Sequence, residues 1–172
     1  MGIGMTYQPQ RGDYGVLATN GLAARLIQIG DLSPWNHVVG YIGGLSGIGS
    51  GWIVEASPRG VRLVHIDEYS GIPIAWNQHE VEVSDDQRNA IVAFLLEEVG
   101  KPYGFSIILA IAIRKLGIRL PQFLTAKLSK SDGYICSELL AAAWSKAGHD
   151  LHLPKPNEFA TPRIMAMRLI FQ

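Results

Sequence analysis

The sequence contains a single cysteine, and the residues around it are those expected of a reactive thiol. Cys136 lies in Gly-Tyr-Ile-Cys-Ser-Glu-Leu-Leu, where a loop gives way to an apolar stretch of helical character. A thiol in the first turn of a helix faces backbone N–H groups that lack helical partners and the positive end of the helix dipole. Both favour the nucleophilic thiolate, so the position predicts a nucleophile rather than the packing role that many free cysteines have.

A histidine far upstream is the first choice for a base. His37 follows Pro-Trp-Asn and opens an apolar, strand-like segment. A lone cysteine with a distant histidine is typical of a thiol nucleophile and its base, and imidazole titrates near neutral pH. The alternative is a half-buried histidine with a purely structural role. The remaining histidines have less structured settings, on a sheet face, in polar loops or at a helix end: His65, His79, His149 and His152.

A carboxylate inside an apolar strand is placed to orient that histidine. A catalytic base needs a third group that holds its tautomer. Glu55 lies in Trp-Ile-Val-Glu-Ala, on the strand that we expect to pair with the His37 strand. Cross-strand neighbours have Cβ atoms about 4.5–5.5 Å apart, so a contact requires only the right register. Otherwise Glu55 is an exposed edge residue, and Asn36 and Glu138 are weaker substitutes for the orienting role.

Acyl chemistry also needs donors that stabilise an oxyanion. The backbone N–H of Cys136 at the helix start is one plausible donor. Tyr134, Tyr103 and Tyr14 are candidates for a second donor or for substrate contacts, and each could equally pack in the core or at the rim of the site. Nothing in their spacing separates the three tyrosines.

The composition excludes several other kinds of protein. With 172 residues, 48% of them apolar and 17% charged, the chain is expected to fold as one domain over residues 1–172. Its formal net charge of zero argues against a nucleic-acid partner. It has no phosphate-binding glycine loop, no cysteine pair and no His-Glu-x-x-His motif, so we predict neither a cofactor nor a metal. The sequence leaves the oligomeric state open.

The sequence has no feature of a secretory signal or a membrane span. Its first residues lack a basic region followed by a long apolar one, and the most apolar stretch, Phe105–Ile113, is well short of the ~20 residues that a spanning helix needs. We therefore expect a protein of the cytoplasm or of a phage particle, or one exported by a non-classical route.

Hydrophobic periodicity predicts a β-rich middle framed by helices. Ser84 with Gln87 three residues later predicts a capping box at the start of one helix, with a buried stripe that includes Ile91, Leu95 and Val99. Further helices are expected over residues 21–29, over 105–116 and from Cys136 to near residue 148, before a proline-rich tail that wraps the surface. Strands are expected near residues 14–19, 37–42, 52–56, 61–66, 74–76 and 81–83, with a mobile loop at 43–51.

With these pieces in order, the chain resembles the circularly permuted branch of the NlpC-type papain-like cysteine peptidases, the YiiX-like proteins. The similarity spans roughly residues 12–148. Its matching segments are Gly-Asp at 12–13, Asn-His-Val-Val-Gly-Tyr-Ile-Gly at 36–43, Ile-Val-Glu-Ala at 53–56, Gly-Val at 60–61, Gly-Lys-Pro-Tyr-Gly-Phe at 100–105 and Tyr-Ile-Cys-Ser-Glu-Leu-Leu at 134–140. Each is short, but the order is specific: the histidine strand comes first and the cysteine helix last.

The resemblance implies an α+β fold in which a small antiparallel sheet or open barrel packs on helices, with the nucleophile at a helix N-terminus. It also implies that Cys136 attacks an amide or ester carbonyl, that His37 acts as base and then acid, and that Glu55 is the acidic partner. We expect a peptide substrate, such as a stem-peptide amide of bacterial cell wall. After the segment that corresponds to Lys101-Pro102-Tyr103, relatives often carry an acidic residue, whereas this chain continues with Gly104 and the apolar Phe105–Ile113. The difference argues against a charged amino-acid substrate. A thioesterase, lipase or acyltransferase that acts on acyl chains is therefore the second hypothesis. A non-catalytic structural or phage tail-assembly module is the third.

Overall fold

Among the residues that it describes, the computed structural model of the protein contains one antiparallel sheet, three α-helices with defined bounds, one 3-10 helix and further helical residues at 24–25 and 27–28. The described residues are 7–21, 24–25, 27–28, 32–47, 49–77, 82–104, 133–149 and 161–170. The strands are β1 (Tyr14–Leu17), β2 (His37–Leu45), β3 (Gly49–Ser57), β4 (Gly60–His65) and β5 (Ile74–Trp76), with a 3-10 helix (Ile66–Tyr69) between β4 and β5. The helices are α1 (Asp85–Glu97), α2 (Cys136–Lys146) and α3 (Pro162–Ile170).

The five strands follow the order β4-β3-β2-β1-β5, and every neighbouring pair is antiparallel. Strands β2, β3 and β4 form consecutive hairpins, whereas β5 crosses to the far side and pairs with β1. The sheet is open, with β4 and β5 at its edges. The predicted α+β class, a small antiparallel sheet packed on helices, is therefore confirmed.

Alternation along the strands gives the sheet two apolar faces. Val38 and Ile42 of β2 pack in the larger cluster with residues of α1 and α2, while Val39 belongs to a second cluster on the opposite face. Gly40 lets the helices approach β2, because a Cβ there would lie 2.6 Å from a methyl carbon of Leu95 and 2.9 Å from one of Leu140. The core thus lies mainly between β2 and the helix pair α1 and α2.

Helix α1 begins as its sequence predicts. The Ser84 hydroxyl accepts the Gln87 N–H at 3.3 Å, and the Gln87 side-chain oxygen accepts the Ser84 N–H at 2.9 Å, so the capping box is confirmed. Ile91 and Leu95 are fully buried, as predicted, but Val99 is 39% exposed. The helix ends at Glu97, so the helical periodicity that placed Val99 in the stripe no longer applies there.

Several predicted boundaries differ from those observed. Strands β2 and β3 extend into the glycine-rich segment predicted to be a mobile loop and leave a short turn between Leu45 and Gly49. The described part of the predicted strand 81–83 is not in a strand, and the tail contains α3. The predicted helix over residues 105–116 lies outside the described residues. Within the described part of the chain, no helix has the length and apolar character needed to cross a bilayer.

Candidate active site

The candidate site lies where the first residue of β2 meets the first residue of α2. His37 opens β2 and Cys136 opens α2, and both are buried, with 8% and 1% of their surfaces exposed. The N-cap residue of α2 is Ile135, and no side-chain hydrogen bond from it caps the helix. The N–H groups of the first turn therefore lie at the same end of the helix as the thiol.

Backbone contacts fix the direction in which the chain enters α2. Tyr103 and Tyr134 form a parallel bridge between two segments that are distant in sequence. The chains pass so closely that a Cβ on Gly133 would lie 2.7 Å from the carbonyl oxygen of Pro102. No other residue type fits at this crossing without displacing backbone, so glycine here helps to set the position of the thiol.

The predicted contact between the histidine and the glutamate is present. His37 Nε2 lies 2.6 Å from Glu55 Oε2, and Glu55 is completely buried. The register pairs Glu55 with Val39, two residues along β2 from His37. The contact is therefore diagonal between strands, a separation that long side chains can span.

The imidazole also reaches the thiol. Cys136 lies close enough to His37 to stabilise the protonated ring, as the hydrogen-bonded Glu55 does. Because Nε2 faces Glu55, Nδ1 is the ring nitrogen left for the sulfur. Burial by itself lowers the pKa of His37, but the hydrogen bonds and negative charges of Cys136 and Glu55 outweigh it and raise this pKa to about 9.

Glu55 is held by two further donors. Arg62 Nε donates to Glu55 Oε1 at 2.8 Å, and the Tyr69 hydroxyl donates to Glu55 Oε2. Burial alone raises the pKa of Glu55, but His37, Tyr69 and Arg62 together lower it to about 2. The carboxylate therefore remains charged across the range in which His37 titrates.

Arg62 and Tyr69 are site residues that our sequence reasoning missed. Arg62 lies directly opposite Glu55 in the register of β3 and β4, and its Nη2 also lies 3.0 Å from Glu68 Oε2. The tight turn between β3 and β4 was a usable signal for Arg62, because counting outward from a hairpin turn gives the cross-strand pairs. Tyr69 comes from the 3-10 helix after β4, whose position over Glu55 no local pattern indicates.

Among the predicted tyrosines, Tyr103 is the one whose pKa responds to the thiol. Burial raises the pKa of Tyr103 most, followed by the charges of Cys136, Glu138 and Glu55. The Tyr103 side chain also packs against the apolar cluster that contains Cys136. Tyr103 therefore lies in the neighbourhood of Cys136.

The other two tyrosines have different surroundings. Burial and the charge of Glu98 raise the pKa of Tyr134, and Lys101 Nζ lies 6.0 Å from the centre of its ring. Tyr14 is completely buried in the core, with its ring edge against Trp144 at a centroid distance of 5.6 Å. These contacts favour positioning and packing roles for Tyr134 and Tyr14.

The two substitutes considered for Glu55 serve elsewhere. Asn36 binds the loop after β1, accepting the Thr19 N–H at 2.9 Å and donating to the Thr19 carbonyl at 2.9 Å. Glu138 lies in the first turn of α2, where the N–H groups at the helix start favour its negative charge. Burial nevertheless raises the pKa of Glu138.

The arrangement supports proton transfer at a thiol. A sulfur at a helix start faces one nitrogen of a buried imidazole, and an ionised carboxylate faces the other. Such a chain can hold a proton on the imidazole beside a thiolate and can later deliver that proton to a leaving group.

Comparison with known proteins shows the class of fold. The described elements form a YiiX-like α+β fold: a crystal structure of the metalloprotein YiiX from Escherichia coli O157:H7, DUF1105, superposes with a TM-score of 0.63 at 19% sequence identity. The alignment covers 94% of this chain and 81% of that chain. At this identity the likeness shows the fold alone. No family model and no curated protein matches the sequence.

Proposed function

We propose that the protein is a cysteine hydrolase that works through an acyl-enzyme, with Cys136 as nucleophile, His37 as acid and base, and Glu55 as the orienting group. The observation that carries this proposal is the position of the buried His37 ring, which contacts the buried Glu55 carboxylate at 2.6 Å and lies close enough to the Cys136 thiol for that thiol to raise its pKa. A histidine with a purely structural role would not require a thiol beside its ring.

The pKa of His37 gives the order of the proton transfers. Because Cys136 and Glu55 raise this pKa, they favour the protonated ring, and in our proposal His37 begins the reaction as an acid. The Cys136 thiolate attacks the carbonyl carbon, and His37 gives its proton to the leaving amine or alkoxide as that bond breaks. A water molecule then attacks the thioester, His37 accepts its proton, and the acid is released as the thiolate re-forms.

We propose two groups as stabilisers of the oxyanion. The Cys136 N–H lies at the positive end of α2, and the Tyr103 hydroxyl lies in the field of the thiol. We assign the second-donor role to Tyr103 rather than to Tyr134, because the charge of Cys136 acts on Tyr103.

The substrate that we propose is a peptide amide, with bacterial cell-wall peptides as the first class to test. The resemblance to permuted NlpC-type enzymes motivates this choice, and the YiiX-like fold is compatible with it. Acyl esters are the second class, and the apolar residues 105–113 that suggested them lie outside the described part of the chain. Turnover of a fatty-acyl ester without cleavage of any peptide would replace the amidase assignment with an esterase one.

The residues of the site do not fit a resident metal, although the YiiX structure is that of a metalloprotein. Within the described residues, no group of three or more histidine, cysteine, aspartate or glutamate side chains is arranged to hold a metal ion. Glu55, which stands closest to Cys136 and His37 as a third ligand, already binds the Arg62 guanidinium, whose positive charge opposes a cation there. We therefore derive no step through a metal.

The first test is the rate at which iodoacetamide alkylates Cys136, measured against pH in the wild type and in His37→Ala. The chain has one thiol, so the signal has a single source, and Cys136→Ala gives the blank. We expect the wild-type thiol to react faster than glutathione at neutral pH and to lose that advantage in His37→Ala. A wild-type thiol no faster than glutathione, or one indifferent to His37, contradicts the proposal.

A further inference from the structure

The carboxylate of the proposed triad is surrounded by donors from three different elements. Glu55 lies on β3 and is completely buried. His37 reaches it from β2, Arg62 from β4 and Tyr69 from the 3-10 helix. Its charge also acts on Tyr103, in the segment beside α2. These groups are the titratable and charged side chains that the described residues direct at Glu55.

Tyr69 contacts both members of the histidine–carboxylate pair. Its hydroxyl donates to the same oxygen, Glu55 Oε2, that faces His37 Nε2. Its ring also lies against the His37 ring, with a centroid distance of 5.9 Å and an angle of 41° between the planes. Tyr69 therefore restricts where the carboxylate points and how the imidazole is tilted.

Arg62 holds the other carboxylate oxygen. Its Nε and Nη2 lie 2.8 Å and 2.7 Å from Glu55 Oε1, and its Nη2 lies 3.0 Å from Glu68 Oε2. Glu68 and Tyr69 are neighbours in the 3-10 helix, so that single turn contacts Glu55 directly through Tyr69 and indirectly through Arg62. A guanidinium offers a fixed, planar set of donors, which suits this geometry better than a lysine ammonium.

We propose that Tyr69 and Arg62 are positioning residues of the site, which keep Glu55 ionised and aimed at His37 and so maintain the charged histidine beside Cys136. This inference rests on the proposed function. Neither residue touches the thiol in any described contact, so each acts through Glu55. In this proposal the 3-10 helix helps to position Glu55, in addition to connecting β4 and β5.

The sign of the expected effect follows from the charges. Removing a donor leaves the buried Glu55 carboxylate less stabilised, so that it takes up a proton at a higher pH than in the wild type. A carboxylate that has lost one of its donors is also held less firmly against His37 Nε2, so the charged histidine beside the thiol loses part of its stabilisation. The alkylation rate of Cys136 should therefore begin to fall at a higher pH as the solution is acidified.

The experiment compares alkylation–pH profiles of the full chain, with iodoacetamide as the probe, for Tyr69→Phe, Arg62→Gln and Arg62→Lys. Tyr41→Phe and Arg59→Gln are matched controls, because Tyr41 packs in the same apolar cluster and Arg59 is exposed in the turn before β4. We expect the acid limb to move upward by about one pH unit in Tyr69→Phe and Arg62→Gln, the scale of one hydrogen bond to a charged group. Arg62→Lys should restore part of the shift, and both controls should match the wild type.

The outcomes separate this inference from the proposed function. In one outcome, His37→Ala slows alkylation, but Tyr69→Phe and Arg62→Gln keep the shape of the wild-type pH profile, with or without a uniform change in rate. The positioning roles are then wrong, and the proposed function stands. If His37→Ala itself has no effect, the proposed function fails and the positioning roles fail with it. Tyr69→Phe and Arg62→Gln test the positioning proposal at separate residues. If one variant folds poorly, the other still tests it.

Discussion

Two buried carboxylates in this protein have nearly the same donors, yet only one of them is joined to the thiol. Glu55 and Asp13 are 0% and 1% exposed. Each accepts a tyrosine hydroxyl and an arginine guanidinium, from Tyr69 and Arg62 in the case of Glu55. What distinguishes Glu55 is the third donor, the His37 imidazole.

Around Asp13 the third donor is a backbone group. The Tyr7 hydroxyl lies 2.6 Å and the Gln10 N–H 2.7 Å from Asp13 Oδ2, and Arg88 Nη1 lies 2.8 Å from Oδ1. Arg88 also donates to the Arg11 carbonyl at 2.8 Å. This cluster ties the entry to β1 onto α1, and no described contact joins it to the thiol. A buried acid with a tyrosine and an arginine is therefore not itself a site; the histidine link makes the difference.

The largest expected contrast is between His37→Ala and Asp13→Ala in turnover. Loss of His37 should reduce the rate per folded molecule by about a thousandfold or more, since it removes the group that moves every proton. Asp13→Ala should leave that rate within a factor of about three, because additivity holds for independent sites. The measurement is turnover of the first substrate found, normalised to the folded fraction. A comparable rate loss in Asp13→Ala would mean that the two clusters are coupled.

Asp13→Ala, which should have little effect on turnover, should have a large effect on stability. Asp13→Ala leaves the buried part of Arg88 without its carboxylate and removes the acceptor of Tyr7, so the free energy of unfolding should fall by about 3 kcal/mol. Urea unfolding followed by tryptophan fluorescence measures this loss, and the exposed Asp67→Ala is the control for removing a carboxylate. A loss as small as that of the control would show that the Asp13 cluster contributes no more to the free energy of unfolding than a surface ion pair does.

Acidification provides a third contrast, through Glu55. Its pKa is lowered to about 2 in the folded state from an ordinary 4.5. The unfolded chain therefore binds the proton more readily between these values, and stability contributed by ionised Glu55 is complete above about pH 4.5 and lost as the pH falls toward 2. Glu55→Gln should flatten this part of the stability–pH curve. An unchanged slope would contradict the lowered pKa.

Glu55→Gln should also cost less activity than His37→Ala, because it disturbs orientation and charge without removing a reacting group. We expect a loss of roughly 10- to 100-fold, the range seen when outer partners of a functional histidine are removed. The comparison of rates at neutral pH tests this ranking. A silent Glu55→Gln would mean that another group orients the imidazole.

Local sequence patterns predicted the positions of Cys136 and His37 at the starts of elements better than they predicted the groups around them. Cys136 and His37 each open an element, and boundaries of that kind follow from glycine, proline and the apolar pattern. The contact of Glu55 with His37 needed only that adjacent strands form a hairpin. The same reasoning, extended one strand further through the tight turn, leads to Arg62 opposite Glu55.

Tyr69 shows where such reasoning ends. Its place over Glu55 depends on how the 3-10 helix folds back after β4, and that path is set by tertiary packing rather than by any period in the sequence. The crossover that pairs β5 with β1 is of the same kind, since the strand was predicted but its neighbour was not. Elements and hairpin partners are encoded locally, whereas contacts between elements distant in the chain are decided by the whole core.

The smallest and most specific contrast is between the two tyrosines, each replaced by phenylalanine. Tyr7→Phe and Tyr69→Phe each remove one hydroxyl that donates to a buried carboxylate, so both should lower the free energy of unfolding by about 1–2 kcal/mol. Only Tyr69→Phe should change the pH profile of Cys136 alkylation, because only Tyr69 lies against the His37 ring. Equal stability losses with unequal reactivity would show that the two clusters share their folding energetics and differ in chemistry. Altered profiles in both variants would instead mean that any loosening of a buried carboxylate reaches the thiol, and the histidine link would no longer explain the difference.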